Sequence, residues 1–261
     1  MTKILIAIDD GHGMETAGKR TPAFSDGQVM RENEFNSAVA DYLAATLERN
    51  GFEVLMVAPG DKDTALKTRV QLANETRAAA YISIHANAFG TAWNNANGLE
   101  TWIYEKVMPD SKTYHFAESI HKELIKATGL RNRGMKRSND LFVLKNTAMH
   151  AALVECGFMT NKEEAALLMD DAYRKKCAEA ICRGVCTFFD KKYKEEVEKM
   201  AEKRYQTIEE APEWAQPLLT AMEERDCIGD PEHLDMSVDM LRCMVLMDRF
   251  WTRCEQDRAK L

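Results

Sequence analysis

No apolar run in the 261 residues approaches the ~20 that a membrane-spanning helix needs. The cysteines contain no CxxC pair and number seven, an odd count, which argues against a disulfide framework. The spacing of Cys177, Cys182 and Cys186 fits one face of a buried helix better than a metal knuckle, so they read as core residues. Basic residues are not in excess: the net charge is -7, which makes nonspecific nucleic-acid binding a poor expectation. The opening MTKILIAIDD meets Asp9 and Asp10 too soon for a secretory signal, so the chain is expected to be cytoplasmic as synthesised. With 45% hydrophobic and 30% charged residues, a disordered chain is excluded.

Charge is unevenly distributed. From Glu195 onward there are 17 acidic and 9 basic residues, whereas the preceding part is near neutral at +1. Three segments are therefore expected: a large domain over 1–190, a charged helical connector over 191–204, and a small all-helical module over 205–261. In the module, Thr207 and Glu210 have capping-box spacing. Two short helical stripes follow, Trp214–Leu218–Met222 and Leu241–Met244–Val245–Trp251, separated by a Gly-Asp-Pro turn at 229–231.

Through the first 190 residues, apolar strands alternate with helix-period segments. That pattern predicts an α/β fold: a mostly parallel twisted sheet with helices on both faces. Strands are expected at Ile4–Ile8, Val54–Val57, Tyr81–Ile84, Leu141–Leu144 and Ala151–Val154, with Leu99–Tyr104 as an edge strand. Helices are expected over Glu32–Arg49, around Leu66, Val70 and Ala73, around Phe116, Ile120 and Leu124, and from Lys162 to Phe189.

Three of these strands run into ionisable residues at their carboxyl ends: Asp9-Asp10-Gly11-His12-Gly13, His85-Ala86-Asn87 and Glu155-Cys156-Gly157. Carboxyl ends of parallel strands share one edge, where ligands bind in open α/β sheets. Two imidazoles and one more anionic ligand make an open catalytic zinc site. Glu32 and Glu34 both lie in the first turn after the His12 loop but point about 200° apart, so only one can face that edge. Each residue also has a plainer reading: a hydrogen-bonded structural His, a Glu complementing a helix dipole, or half of a buried ion pair.

The segments IAIDDGHGMETAGKRTP, RENEFN (31–36), SIHANA (83–88) and LVECGFMTN (153–161), with NRGMKRSNDLFVLKNT from Asn132, resemble the zinc-dependent N-acetylmuramoyl-L-alanine amidase family. The likeness covers about residues 3–190 in order. It implies zinc held by His12, Glu32 and His85, with Glu155 as catalytic acid/base and peptidoglycan as substrate. Glu32 is preferred to Glu34 because it keeps the family's four-residue spacing to the helix asparagine, here Asn36. A departure is Met149-His150, where the family has a proline before the last strand; His150 is expected at the end away from the zinc. Asn87 and the basic run Arg131, Arg133, Lys136 and Arg137 are candidates for contacting substrate. His115, His121 and His233 are expected to be solvated.

The tail resembles, more loosely, one S-layer-homology-like repeat, through Tyr205–Gly229 and Ser237–Arg242. That implies wall targeting, or self-association of the chain. The expected activity is that of an amidase of phage-endolysin or autolysin type. The alternatives are a zinc peptidase cutting within the stem peptide and a non-catalytic wall-binding protein.

Overall fold

The computed structural model describes residues 3–195, 204–225, 227–228, 230–231, 233–237 and 240–248. It divides into two units, Met1–Glu195 and Glu196–Leu261.

The first unit is built on a six-stranded sheet of order β2-β1-β3-β6-β4-β5. The strands are β1 (Leu5–Asp9), β2 (Glu53–Met56), β3 (Ala80–Asn87), β4 (Leu99–Tyr104), β5 (Asn132–Ser138) and β6 (His150–Phe158). β2, β1, β3 and β6 are mutually parallel; β4 runs antiparallel to β6, and β5 parallel to β4. The helices are α1 (Glu32–Arg49), α2 (Leu66–Glu75), α3 (Lys112–Thr128), α4 (Phe142–Asn146), α5 (Lys162–Met169) and α6 (Asp171–Phe188).

Strand alternation distributes the core between two layers. Ile6, Ile8, Ile82, Ile84 and Val154 face α1, α3 and α6, burying Phe35, Leu43, Phe116, Ile120 and Ile181. Ala7, Tyr81, Ala151 and Leu153 face the other way, onto Val70 and Ala73 of α2 and Val143 and Leu144 of α4. On the first face α3 and α6 approach closely at Gly184, where a Cβ would lie 2.5 Å from the Ile120 Cα. Cys177, Cys182 and Cys186 are buried in α6, as their spacing predicts.

Several expectations are corrected here. Leu99–Tyr104 is an interior strand, because β5, unforeseen in the polar run Asn132–Ser138, covers its outer side. Leu141–Leu144 is not a strand: Phe142–Asn146 is a one-turn helix whose Val143 and Leu144 pack under the sheet. A short apolar run carries no period of its own, and length did not arbitrate here. His121 is buried, not solvated, held by Thr101 Oγ1 at 3.0 Å and Asn132 Oδ1 at 2.9 Å. His150 opens β6, at the end away from Glu155, beside Thr113 and the Phe116 and Phe188 rings.

In the second unit, α7 (Gln216–Glu224) and a helix over 240–248 accompany a two-residue antiparallel pair, β7 (Arg204–Tyr205) and β8 (Met236–Ser237). The module is helical as expected, apart from this two-residue pair. Its core is Tyr205, Ala211, Ala215, Leu219 and Leu241. The stripe is thus one residue out of the expected register, and Trp214 is exposed. Ser237 caps the helix at 240–248 by accepting from the Met240 N–H. Residues 191–195 are not helical, and 196–203, Gly229 and Trp251 lie outside the described residues.

Candidate active site

β1 is flanked by β2 on one side and β3 on the other, so the chain reverses its direction of growth there. Such a switch opens a crevice at the carboxyl ends of the strands. His12 follows β1, and His85 and Glu155 lie near the ends of β3 and β6, paired in register. Glu32 opens α1, in the crossover that follows the His12 loop.

The His12 loop is held in an unfavourable backbone conformation. His12 has φ 61°, a left-handed value that non-glycine residues rarely adopt. Its neighbours over-determine it. The Asn33 amide donates to the Asp10, Gly11 and His12 carbonyls at 3.0, 3.2 and 3.3 Å, and Asn36 donates to the Gly11 carbonyl at 3.0 Å. From beneath, Arg69 Nη2 donates to the His12 carbonyl at 3.2 Å. Gly11 is required for a second reason: a Cβ there would lie 2.5 Å from His85 Cε1. Close contact of the two histidine rings, 4.9 Å between centroids, depends on that space.

One donor atom each from His12, Glu32 and His85 falls within 4.8 Å of the others, and this is the only such group among the described residues. Glu32 Oε1 lies 2.9 Å from His85 Nδ1, and Oε2 lies 3.6 Å from His12 Nε2. Glu32 Oε2 is buried yet has no hydrogen-bond partner, a costly state that a cation would relieve. Burial pushes His12 down to about 4, against the pull of Glu32, leaving a neutral imidazole at pH 7. Burial would raise Glu32, but the His85 hydrogen bond and the His85, His12 and Lys19 charges outweigh it and hold it ionised. His85 is shifted upward: burial opposes its cation, but Glu32, Glu155 and Asp9 together outweigh that. Two imidazoles that line a cavity, with a buried carboxylate beside them, fit a divalent metal of the catalytic zinc type. Glu34 plays another part, accepting from the Arg31 N–H at 3.0 Å to cap α1.

Glu155 faces a cavity of about 310 Å³, together with His12, Lys19, Arg69 and His85 and the apolar side chains of Leu66, Phe142 and Leu153. Its Oε2 is also buried without a partner. Burial pushes its carboxyl up to about 8, with Glu32 and Glu100 adding to the rise and His85 opposing it. A carboxyl raised toward the working pH is poised both to take and to release a proton, the property an acid/base residue needs.

The remaining predicted residues lie outside that cavity. Asn87 donates to Glu100 Oε1 at 2.8 Å, and Arg133 pairs with Glu100 Oε2 at 2.8 Å while its guanidinium lies over the Phe158 ring. Arg131 is exposed, Lys136 half-buried on β5, and Arg137 reaches the Glu105 and Val107 carbonyls.

Sequence reasoning missed the support beneath the site. Arg69 is fully buried; it pairs with Asp9, reaches Asp63 at 2.7 Å and donates to the Thr64 carbonyl at 2.7 Å. Asp9 also accepts from the Tyr81 hydroxyl at 2.8 Å and the Ser83 hydroxyl at 2.7 Å, and Ser83 Oγ stands 3.2 Å from His85 Nε2. A signal existed: Arg69 lies on the stripe Leu66, Val70, Ala73, and a charge on an apolar face calls for a buried partner. Lys19, whose Nζ is 3.8 Å from Glu32 Oε2, gave no comparable sign.

A family model described as N-acetylmuramoyl-L-alanine amidase matches residues 6–187. The chain is 31% identical over 184 residues to N-acetylmuramoyl-L-alanine amidase LytC of Bacillus subtilis (strain 168), covering 70% of this chain and 35% of LytC. It is 32% identical over 195 residues to the endolysin of Bacillus phage SPP1, covering 73% of this chain and 68% of the phage protein. Its fold matches the crystal structure of an N-acetylmuramoyl-L-alanine amidase from Clostridium difficile 630. The TM-score is 0.66 at 30% identity, over 73% of this chain and 98% of that one. A family match running from within β1 to the last turn of α6 takes in every strand of the large sheet and all four residues gathered at its edge: the chain belongs to the N-acetylmuramoyl-L-alanine amidase family.

Proposed function

We propose that this chain hydrolyses the amide between N-acetylmuramic acid and L-alanine in peptidoglycan, with His12, Glu32 and His85 holding one zinc ion. The observation that carries this reading is the set of three donors within 4.8 Å, two of which, His12 and His85, line the cavity that Glu155 also lines. Zinc held there would supply Lewis-acid charge, which polarises a carbonyl and makes water acidic near neutral pH. Glu155 takes a proton from the attacking water and delivers it to the departing L-alanine nitrogen, which leaves poorly as an anion. The Asn33, Asn36 and Arg69 hydrogen bonds keep His12 in place during this, and Gly11 leaves room for His85. The apolar wall of Leu66, Phe142 and Leu153 excludes water from one side of the reacting amide.

The roles of Asn87, Arg131, Arg133 and Lys136 are assigned to the substrate's flanks, outside the cavity. The second unit is assigned to wall targeting or self-association. Among its described residues no group of metal-binding side chains occurs. No helix of the described residues is long and apolar enough to cross a membrane.

Digestion of purified walls tests the reading. Release of free lactyl carboxyl with new amino-terminal L-alanine, abolished by chelator and restored by stoichiometric zinc, is the expected result. Cleavage within the stem peptide, or activity indifferent to chelation, would refute it.

A further inference from the structure

The cavity holds two cations, Lys19 and Arg69. Arg69 is fully buried and committed to Asp9 and Asp63. Lys19 is different. Its backbone is fixed: the Lys19 carbonyl accepts from the Glu32 N–H at 2.9 Å, and the next residues continue as an Arg20–Arg31 bridge and a Thr21–Met30 hydrogen bond. Its side chain is 43% exposed, and its ammonium stands 3.8 Å from Glu32 Oε2, close enough for charge attraction but too far for a hydrogen bond. The ammonium's donors therefore stay available in the cavity that Lys19 lines, beside Glu32 and in the field felt by Glu155.

We propose that Lys19 is a further catalytic residue of the amidase reaction, its ammonium meeting the oxygen of the scissile carbonyl as negative charge builds there. This rests on the reading of function given above. The reacting carbonyl has to lie among His12, His85 and Glu155, and Lys19 lines the same space. A carboxylate of the stem peptide is the other anion a lysine could meet. Even one on the second stem residue lies two residues away from that carbonyl, about 7 Å along an extended chain. The position of the ammonium, next to a carboxylate at the centre of the site, favours the nearer oxygen. A donor held in place beside developing charge acts on the transition state more than on the ground state.

The test compares wild type, Lys19→Met and Lys19→Arg on a small muramyl-peptide, with a parallel substrate whose stem carboxylates are amidated. Lys19→Met should lose about 100-fold in kcat on both substrates, the scale of one oxyanion donor, while KM stays within about twofold. Lys19→Arg should recover most of the rate. Two readouts do not depend on turnover. Zinc affinity by chelator competition should be unchanged or tighter in Lys19→Met, since the ammonium competes for a Glu32 oxygen. A phosphinate isostere of the amide, which mimics the tetrahedral state, should bind more weakly by a factor similar to the loss in kcat. A defect confined to KM that disappears on the amidated stem would assign Lys19 to substrate carboxylate instead. Loss of zinc in step with rate, or an unchanged kcat, would also overturn the proposal. Should wild type fail to cleave the amide at all, the proposed function falls, and this inference with it.

Discussion

Arg69→Met removes a guanidinium that is fully buried and leaves a methionine that replaces only its aliphatic stem. What remains is Asp9, 1% exposed, still accepting from Tyr81 and Ser83 but without its counter-charge. Breaking a buried pair from one side costs about 3–5 kcal/mol, because the other charge stays desolvated. Loss of the donors to the His12 and Thr64 carbonyls adds to this. A loss of this size would consume a large share of the 5–15 kcal/mol typical of folded proteins, so urea unfolding of the chelated protein should shift to a far lower midpoint.

The pH dependence separates electrostatics from packing. In the native protein burial would raise the Asp9 carboxyl, but Arg69, then His85 and the Ser83 hydroxyl, outweigh it and hold it below the ordinary value of 3.8. A depressed folded pKa stabilises above the unfolded pKa and ceases to do so as pH falls through the folded value. In Arg69→Met the burial effect is left largely unopposed, so the Asp9 pKa rises above its unfolded value. Its protonated form is then the one that folds more readily, and the variant's deficit should shrink as pH is lowered from 7 toward 5. Asp9→Asn combined with Arg69→Met should be less damaging than Arg69→Met alone, since the unpaired charge is gone. A deficit that is constant with pH and unrelieved in the double variant would refute the argument and leave lost packing as the cause.

Other outcomes follow from the same geometry. His12→Ala or His85→Ala should lose zinc by elemental analysis, since each removes one of three protein ligands; full loading of either variant would overturn the ligand set. Gly11→Ala should lose zinc and also stability, because at φ 35° its Cβ would meet the His85 ring at 2.5 Å and the Ile84 carbonyl at 2.7 Å. Glu155→Gln should bind zinc normally and fall about 100- to 10,000-fold in kcat, whereas Glu34→Gln should lose only helix-cap stability. A chain ending at Glu195 should hydrolyse a small muramyl-peptide at close to the full-length rate but act more slowly on intact walls, where tethering raises effective concentration; equal rates on walls would remove the targeting role.

The legible part of this molecule is the part where one local pattern has one structural meaning. Ile4–Ile8 running into Asp-Asp-Gly-His, and Tyr81–Ile84 running into His85, are buried strands with polar ends, which occur in that order only where a parallel sheet meets solvent at its carboxyl edge. Position on that edge then gathers His12, His85 and Glu155 with no knowledge of distances. α1 adds one carboxylate: angle alone says that only one of Glu32 and Glu34 can face that edge, and it is the family's spacing to Asn36 that picks Glu32.

The illegible parts depend on partners distant in sequence. β5, Asn132–Ser138, has no apolar alternation, since it is an edge strand whose pairing with β4 supplies what its side chains do not. Leu141–Leu144 reads as a strand until the underside of the sheet offers Val143 and Leu144 a place as a helical turn. His121 looks like a surface residue on an amphipathic helix, yet Thr101 and Asn132, from two different strands, satisfy both ring nitrogens and let it go inside. Arg69 lies between these cases. Its position on an apolar stripe announces a buried charge, while the identity of its partner, Asp9, sixty residues upstream, is decided by the β1 crossover. His12, His85 and Glu155 were legible because strand ends place them. Their support was not, because it is assembled from α2, β1 and β3 only once the sheet has closed around the switch point.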